Sequence, residues 1–303
     1  MDFELALFLA MLLAGLIMYW DRVIGRPRRI RQSESGVTLR MPLVVEYSRA
    51  FFPVILAVFL LRAFIVEPFR IPSGSMLPSL FIGDFILVSK SSYGIKLPIL
   101  KTQIVPLGNP ERGDVMVFRF PRDPKTNFIK RVIGTPGDVV SYHNKRLSIN
   151  GEPLPLESVE LLDWPTEDQD GRVKTFLEQV DTSAHTILID TLRSSSSMRV
   201  KVPQGHYFVM GDNRDHSNDS RNWGTIRLEE MKDPAFFLYW SWDVNGNALQ
   251  FFNPVNWFSV EKRWDRLLRR VRCGDLEAPH EAGDFRLSAQ GSPRRTAGAR
   301  AVD

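Results

Sequence analysis

The sequence predicts a mainly β domain that follows two N-terminal transmembrane helices. Two apolar runs lie near the start of the chain, within residues 1–20 and 50–66. After them, short runs rich in Val, Ile and Phe alternate with Gly- and Pro-containing turns up to about residue 256. Many short strands joined by frequent turns are typical of an antiparallel sandwich or barrel. With 303 residues, the chain is long enough for one large domain or two small ones.

The first apolar run, in residues 1–20, predicts a membrane anchor that is not cleaved. The stretch from Leu5 to Trp20 carries no charge and ends in two aromatic residues, which favour membrane interfaces. A cleaved signal peptide would begin with basic residues, whereas this chain begins with Asp2 and Glu4. A buried core helix is the alternative, but apolar side chains surround this helix on all sides.

The second apolar run, residues 50–66, predicts a second span. Arg62 interrupts it near its end, where a long side chain can extend its charge to the membrane interface. A helix that lies within the interface is the alternative interpretation. Apart from these two runs, the sequence contains no apolar stretch long enough to span a membrane.

The segment between the two runs, residues 21–49, carries seven arginines and three acidic residues. Its charge of +4 equals the net charge of the whole chain. Short loops rich in Arg and Lys remain in the cytoplasm, so everything after residue 66 is predicted to lie outside. Because the excess charge lies in this loop, the composition does not indicate a nucleic-acid partner. The single cysteine, Cys273, excludes an intrachain disulfide.

The predicted extracytoplasmic β domain covers residues 67–256. Its strands are predicted at Phe85–Lys90, Val115–Phe120, Phe128–Gly134, Val139–Tyr142, Arg146–Ile149, His206–Met210 and Phe236–Trp242. The Asn150-Gly151 pair predicts a tight hairpin turn. Residues 151–204 are polar and irregular, which indicates an insertion on the β body.

The end of the chain has a different pattern. In residues 257–272, apolar side chains recur at helical spacing and basic residues fill the other face, which predicts an amphipathic helix. This helix could lie on an anionic membrane surface or pack on the β body, and the sequence favours neither. Residues 273–303 are rich in Ala, Gly and Arg without periodicity, which predicts disorder.

Two segments carry residue types suited to acyl transfer. The stretch Ile71 to Leu80, IPSGSMLPSL, places two serines around a glycine in a turn stiffened by prolines. This segment taken alone favours a plain surface turn over a catalytic one. Lys130 lies in a predicted strand between apolar neighbours. Desolvation there would favour the neutral amine, which can act as a general base. The alternative is an edge-strand lysine that reaches into water.

Other catalytic schemes fit less well. The polar stretch Gly211 to Arg221, GDNRDHSNDSR, lacks the glycine and the final glutamate of a calcium-binding EF-hand loop. The chain has no G-x-S-x-G motif and no H-E-x-x-H motif, so neither an α/β-hydrolase elbow nor a zinc site is predicted. A Ser/His/Asp triad through His206 or His216 stays as an alternative.

Taken together, these segments resemble the bacterial type I signal peptidases (leader peptidases). The similar motifs occur in the family's order: SGSM-x-P at 73–78, GDFILVSKSSYGIKLP at 83–98, RGDVMVF at 112–118, IKRVIGTPGD at 129–138 and GDNRDHSNDSR at 211–221. The resemblance covers about residues 51–138 and 205–224, and the two N-terminal spans match the family's architecture. It implies two antiparallel β-sheets with a β-rich insertion.

The resemblance also implies roles for individual residues. Ser75 would be the nucleophile and Lys130 its general base, while the Ser73 hydroxyl and the Ser75 backbone N–H would form the oxyanion hole. Ser217 would hold the Lys130 amine in place. Two further pairs would brace the site, Asp219 with Arg221 and Asp212 with Arg131. The shallow apolar pockets for small substrate side chains would be lined by Phe69, Ile71, Met76, Leu80, Val117 and Ile129.

The implied function is removal of signal peptides from exported preproteins at the inner membrane, on its periplasmic side. The implied partners are preproteins and membrane lipids, and no metal or cofactor is implied. This chain differs from the family pattern at Ser79, where threonine is usual, at residues 232–234, and in lacking the cysteine pair of the insertion. The rivals are a peptidase specialised for a conjugation or pilus system and a non-catalytic membrane-tethered binding protein. A self-cleaving repressor would need an N-terminal DNA-binding domain, and the two spans occupy that place.

Overall fold

The computed structural model describes residues 3–34, 40–97, 103–159, 172–181, 183–242 and 263–271. Two long helical segments open it. The first consists of α1 (Phe3–Trp20), a π-helical turn (Asp21–Gly25) and α2 (Arg26–Glu34), and the second of α3 (Leu43–Leu60) and a π-helical turn (Leu61–Ile65). By length and composition, Phe3–Arg31 and Leu43–Ile65 are each able to cross a membrane.

The two segments pack against each other. The rings of Phe8 and Phe59 lie 6.0 Å apart, and at the far end Asp21 forms ion pairs with Arg29 at 2.7 Å and Arg49 at 3.0 Å. Asp21 is 3% exposed, so it joins the two helices in a protected position.

Much of the predicted cytoplasmic loop is helical. The first helix continues past Trp20 to Glu34 and the second begins at Leu43. The apolar pattern ends at Trp20, but arginine is itself a good helix former, so the charged segment can continue the helix.

Seventeen strands are present in the described residues. They are β1 (Val66–Arg70), β2 (Asp84–Ser89), β3 (Gly94–Lys96), β4 (Gln103–Pro106), β5 (Val115–Phe120), β6 (Asp123–Gly134), β7 (Val139–His143), β8 (Arg146–Ile149), β9 (Glu152–Pro153), β10 (Leu156–Ser158), β11 (Val173–Val180), β12 (Ser183–Asp190), β13 (Met198–Lys201), β14 (His206–Met210), β15 (Ile226–Arg227), β16 (Met231–Ser241) and β17 (Arg269–Arg270). A single helical turn, α4 (Ser220–Trp223), precedes β15.

The strands form antiparallel sheets. The main sheet has the order β1-β2-β16-β5-β6-β14-β15, with β17 added to β16. Smaller sheets have the orders β10-β11-β12, β13-β7-β8-β9 and β3-β4. The predicted fold class, mainly β with antiparallel sheets after two apolar helices, is therefore confirmed.

Strand β5 lies at the centre of the main sheet, and its two faces contact different apolar clusters. Val115 and Val117 belong to one buried cluster, whereas Met116 and Phe118 belong to another. The neighbouring strand β6 pairs with β5 so that Lys130 lies opposite Met116. Because alternate residues of a strand share a face, Lys130 lies on the same face as Phe128 and Val132, which belong to or pack against the Met116 cluster.

Two local predictions are corrected by the structure. The insertion 151–204 is not irregular in its described part, because it contains the three-stranded sheet β10-β11-β12 as well as β9 and β13. The predicted amphipathic helix 257–272 is also wrong where it is described. Trp264–Arg266 is a 3-10 turn, and β17 pairs with Phe237 and Leu238 of β16.

The reason for the second correction is the environment of Arg266. Arg266, which was predicted to lie on the basic face of the helix, is 6% exposed, and its guanidinium donates at 2.8 Å to the buried Asp84 and at 3.0 Å to the Ser79 carbonyl. These contacts hold the segment on the β body, which is one of the two positions left open by the sequence. Residues 257–262 and 272–303, including the predicted disordered tail, lie outside the described residues.

Candidate active site

Ser75 lies in a short turn between β1 and β2. A 3-10 turn, Gly74–Met76, follows Ser73, whose backbone is extended. Ser75 is buried, with 9% of its surface exposed. The backbone N–H of Asn213 donates to the Ser75 carbonyl at 3.2 Å, and the Asn213 side-chain amide donates to the Gly74 carbonyl at 3.1 Å. The turn is thus held by the loop that follows β14.

Lys130 lies on β6, and its Nζ is in hydrogen-bond contact with the Ser75 hydroxyl. The side chain is 3% exposed. Burial lowers the pKa of Lys130 to about 8, although the nearby carboxylates of Asp219 and Asp212 act in the opposite direction. At pH 7, roughly one tenth of such amines are neutral.

This pair has the geometry of an activated nucleophile. A neutral amine beside a serine hydroxyl can accept its proton while the oxygen attacks a carbonyl carbon. The ring of Phe128, two residues before Lys130 on the same face, has its centre 5.6 Å from Nζ. The ring packs against the buried cluster that contains Met116 and Phe118, and with that cluster it limits the access of water to the amine.

The two predicted bracing pairs are both present. Arg131 donates two hydrogen bonds to Asp212, at 2.9 and 2.7 Å, and both side chains are 1% exposed. Asp219 accepts from the Arg221 guanidinium at 2.9 and 2.8 Å and from the Gly211 N–H at 3.0 Å. Burial alone would raise the pKa of each carboxyl, but the arginines hold the pKa of both below the ordinary value.

Ser217 lies in the same loop, but its contacts differ from the predicted ones. Its hydroxyl is buried, and in the described part of the chain no hydrogen bond joins it to Lys130. It lies so close to Gly211 that a Cβ added there would come within 2.6 Å of the Ser217 Cβ and would also contact the Ser75 carbonyl. Gly211 thus allows this loop to lie against the Ser75 turn.

The residues proposed for the oxyanion hole and the substrate pockets lie around Ser75. Ser73 is exposed two residues before it. Five predicted pocket residues form one buried cluster, and Phe69 packs against that cluster with part of its surface exposed. The roles of all these residues stay predictions. The five predicted pocket residues that belong to this cluster are Ile71, Met76, Leu80, Val117 and Ile129.

The two histidines considered for a triad have other contacts. His216 lies 3.5 Å from the Asp190 carboxylate, and His206 contacts the Gln204 carbonyl. Neither of these contacts involves Ser75, whereas the Lys130 amine contacts the Ser75 hydroxyl, so the geometry favours the lysine as the base.

Several residues of the site were not predicted. Ser79 is 2% exposed and donates to Asp212 at 2.5 Å, so it is part of the bracing network. Asn213 lay within a recognised motif, but its role needs the three-dimensional contact with Ser75. Glu178 and His185 come from the insertion, and no sequence pattern connects them with the site.

Comparison with known proteins places the chain in a family. The family model for signal peptidases, peptidase S26, matches residues 44–240. A signal peptidase I from Pseudomonas fluorescens is 43% identical, over 80% of this chain and 93% of its own. A signal peptidase I from Pseudomonas aeruginosa is 41% identical, over 84% of this chain and 98% of its own.

A solved structure of a signal peptidase I from Enterococcus faecalis V583 is 29% identical over 42% of this chain and 97% of its own. Its TM-score of 0.27 is too low to support a conclusion about the fold. The family match covers most of the chain, and the two Pseudomonas sequences align over nearly their full length. The chain therefore belongs to the type I signal peptidases, which are serine peptidases of family S26.

Proposed function

We propose that this chain is a membrane-bound endopeptidase that removes signal peptides from exported preproteins with a Ser75–Lys130 dyad. The observation that carries the proposal is the contact between the Ser75 hydroxyl and a buried lysine amine whose pKa is lowered to about 8. The family membership supports the choice of signal-peptide-bearing preproteins as substrates.

The proposed reaction has two steps. Lys130 takes the Ser75 proton as the oxygen attacks the scissile carbonyl, and then gives that proton to the leaving amine of the mature protein. The signal peptide remains as an ester on Ser75. Lys130 next takes a proton from water as the water oxygen attacks the ester carbonyl carbon. The bond from this carbon to the Ser75 oxygen breaks, Lys130 returns the proton to that oxygen, and the signal peptide leaves with a free carboxyl end. The Ser73 hydroxyl and the Ser75 N–H would stabilise the oxyanion in both steps.

The substrate would bind as an extended strand. In the described residues β1 pairs only with β2, and the part of β6 before Arg131 pairs only with β5. Each strand thus has an edge free near the dyad, to which a peptide could add. In an extended peptide, the residues one and three before the cut share a face. The side chains of these two residues could therefore both contact the apolar surface around Phe69 and Ile129.

The peptide would arrive from the membrane side. A cavity of about 490 Å³ lies between the sheet and the helix ends that adjoin the β domain. It is lined by Phe3 and Ile65 at the helices, by Glu67 at the start of β1, and by Asn127, three residues before Lys130 on β6. This cavity offers a route along which a signal peptide could pass from the membrane to the dyad.

The membrane topology is part of the proposal. The two helical segments would cross the inner membrane with the arginine-rich residues 21–49 in the cytoplasm and the β domain in the periplasm. Membrane lipids would then contact both helices, in agreement with their exposed apolar surfaces. These surfaces include Leu9, Leu12, Leu13, Leu16, Phe51, Val54 and Val58.

The test is a cleavage assay with sequencing of the product. The purified full-length chain in detergent micelles is incubated with a preprotein that carries a signal peptide, and the new N-terminus is sequenced. We expect a single cut after a small residue at the end of the signal peptide. Cuts within the mature region, or an intact preprotein under conditions in which the enzyme is folded, would argue against the proposed function.

A further inference from the structure

The insertion places an acidic residue and a histidine in the interior behind the dyad. Glu178 on β11 and His185 on β12 are direct cross-strand partners. Both are buried, at 2% and 3% exposure, whereas the nearby Gln179 is exposed. Burying an ionisable group costs free energy unless the group is paired or hydrogen-bonded, so the contacts of this pair should explain its burial.

Glu178 binds a loop residue that lies next to the site. The Arg214 Nη1 donates to Glu178 Oε1 at 2.7 Å, and Nη2 donates to the other carboxylate oxygen. The Arg214 side chain is fully buried. Two parallel hydrogen bonds fix the orientation of both groups, which a single contact would not do.

His185 lies between Glu178 and the bracing pair of the dyad. Its Nε2 lies 3.5 Å from a Glu178 oxygen and 3.8 Å from Asp212 Oδ1. Burial lowers its pKa well below the ordinary value, so the ring is neutral. The charges around it, from Glu178, Asp212, Arg131 and Arg214, therefore balance without it.

The backbone of the β11–β12 hairpin also contacts the loop that follows β14. The Leu188 N–H donates to the Asp212 carbonyl at 2.9 Å, and Leu188 forms a parallel bridge with Asn213. Asn213 in turn donates to the Ser75 and Gly74 carbonyls. Residues 212–214 are thus held by the insertion on one side and hold the Ser75 turn on the other.

We propose that Glu178 and His185 are positioning residues for acyl transfer, which fix residues 212–214 and thereby the place of Ser75 relative to Lys130. This inference rests on the proposed function. It assigns a role to the β11–β12 hairpin of the insertion, which lines neither the dyad nor the predicted pockets.

The test compares Glu178→Gln with Glu157→Gln in the full-length enzyme. Glu157 is exposed on β10, in the same small sheet, so its variant makes the same chemical change without touching the loop. We expect kcat of Glu178→Gln to fall by about tenfold or more, because small misplacements of reacting groups are costly. KM should stay within about twofold, since the proposed peptide-binding edges on β1 and β6 are unaffected.

A rescue experiment separates positioning from a general loss of stability. In Glu178→Gln the buried Arg214 charge loses its partner, whereas the double variant Glu178→Gln/Arg214→Gln contains a neutral pair. The double variant should recover part of kcat. All rates are measured well below the thermal midpoint and corrected for folded protein by near-UV circular dichroism.

The inference is overturned if folded Glu178→Gln has the kcat of Glu157→Gln, or if its loss lies in KM alone. If Glu178→Gln does not fold, Glu178→Asp, which keeps the charge but withdraws the carboxylate from Arg214, is judged by the same criterion. Ser75→Ala in the same assay keeps the two proposals apart. Activity of Ser75→Ala would defeat the dyad itself, whereas an inactive Ser75→Ala beside an unaffected Glu178→Gln would defeat only the positioning role.

Discussion

Burial and nearby carboxylates act on the Lys130 amine in opposite directions. Burial disfavours the ammonium form, whereas Asp219 and Asp212 favour it, and the pKa of about 8 means that burial has the larger effect. The Phe128 ring contributes in both ways, since its face attracts a cation but its bulk excludes water. An exposed cation–π contact is worth about 0.5–1 kcal/mol, and desolvation of a buried ion costs several. The net effect of the ring should therefore be to lower the pKa.

Replacing Phe128 tests this balance at the level of one residue. In Phe128→Asn, water should reach the amine and the pKa of Lys130 should rise. Because Lys130 acts as a base only when neutral, the acid limb of kcat/KM should move to higher pH, with activity partly recovered in alkali. The matched control is Ile129→Val, whose side chain lies on the opposite face in the Val117 cluster. An acid limb that stays in place or moves to lower pH would show that other residues activate Lys130.

Removing the amine should cost activity but increase stability. A pKa lowered from 10.5 to about 8 corresponds to roughly 3 kcal/mol of unfavourable burial of the charge. Lys130→Met should therefore be inactive but more stable at pH 7, by on the order of 1 to 3 kcal/mol once the lost contact with Ser75 is counted.

The sign of the pH dependence follows from proton binding. Between pH 8 and 10.5 the unfolded chain binds more protons at this position than the folded chain, so wild-type stability rises with pH. The advantage of Lys130→Met should be complete below pH 8 and absent above about 10.5. Thermal midpoints measured across this range check it, and an advantage that is independent of pH would contradict the assignment.

At the scale of structural elements, the site depends on the close approach of two loops. The turn 74–76 and the loop 211–217 meet at Gly211, where even a methyl group would collide with Ser217 and the Ser75 carbonyl. Gly211→Ala should lower kcat by about tenfold or more, because the Ser75 turn would have to move. Gly108→Ala is the control, since the atoms nearest to its added Cβ lie 3.8 Å away. Full activity of Gly211→Ala would mean that the loop contact is irrelevant to catalysis.

Strand prediction succeeded where the side-chain pattern itself reflects burial. Val115–Phe120, Arg146–Ile149 and His206–Met210 match their predicted bounds because each carries an apolar run or alternation. Strand β6 instead begins at Asp123, five residues before the predicted start at Phe128. Its polar residues join the strand through pairing with β5, as between Asn127 and Arg119, and pairing leaves no hydrophobic signal.

The site shows the same limit over longer distances. The motifs around Ser75 and Lys130 could be recognised because each occupies a short stretch of sequence. Glu178 could not be, because its partner Arg214 is 36 residues away and nothing near either residue indicates the pairing. The helix predicted at 257–272 failed for a related reason, since a tertiary ion pair with Asp84 draws Arg266 into the interior.

At the scale of the whole molecule, the helical pair should fix the side of the membrane on which the chemistry occurs. Single cysteines can test this, because the natural chain has only Cys273. In a Cys273→Ser background, Ser196→Cys lies on the insertion and Arg40→Cys in the arginine-rich segment. A membrane-impermeant maleimide added to intact spheroplasts should label Ser196→Cys but not Arg40→Cys. After the membrane is permeabilised, the maleimide should label both variants. The reverse pattern would overturn the proposed orientation.

The central claim, cleavage of signal peptides by Ser75 with Lys130 as its base, is tested most directly by removing one hydroxyl. The rate of preprotein cleavage is measured for Ser75→Ala and for Ser196→Ala, an exposed serine of the insertion that makes the same change elsewhere. Ser79 is unsuitable as the control because it donates to Asp212. We expect Ser196→Ala to cleave at the wild-type rate and Ser75→Ala to lose about a thousandfold or more. Cleavage by Ser75→Ala at a near-normal rate would contradict the account.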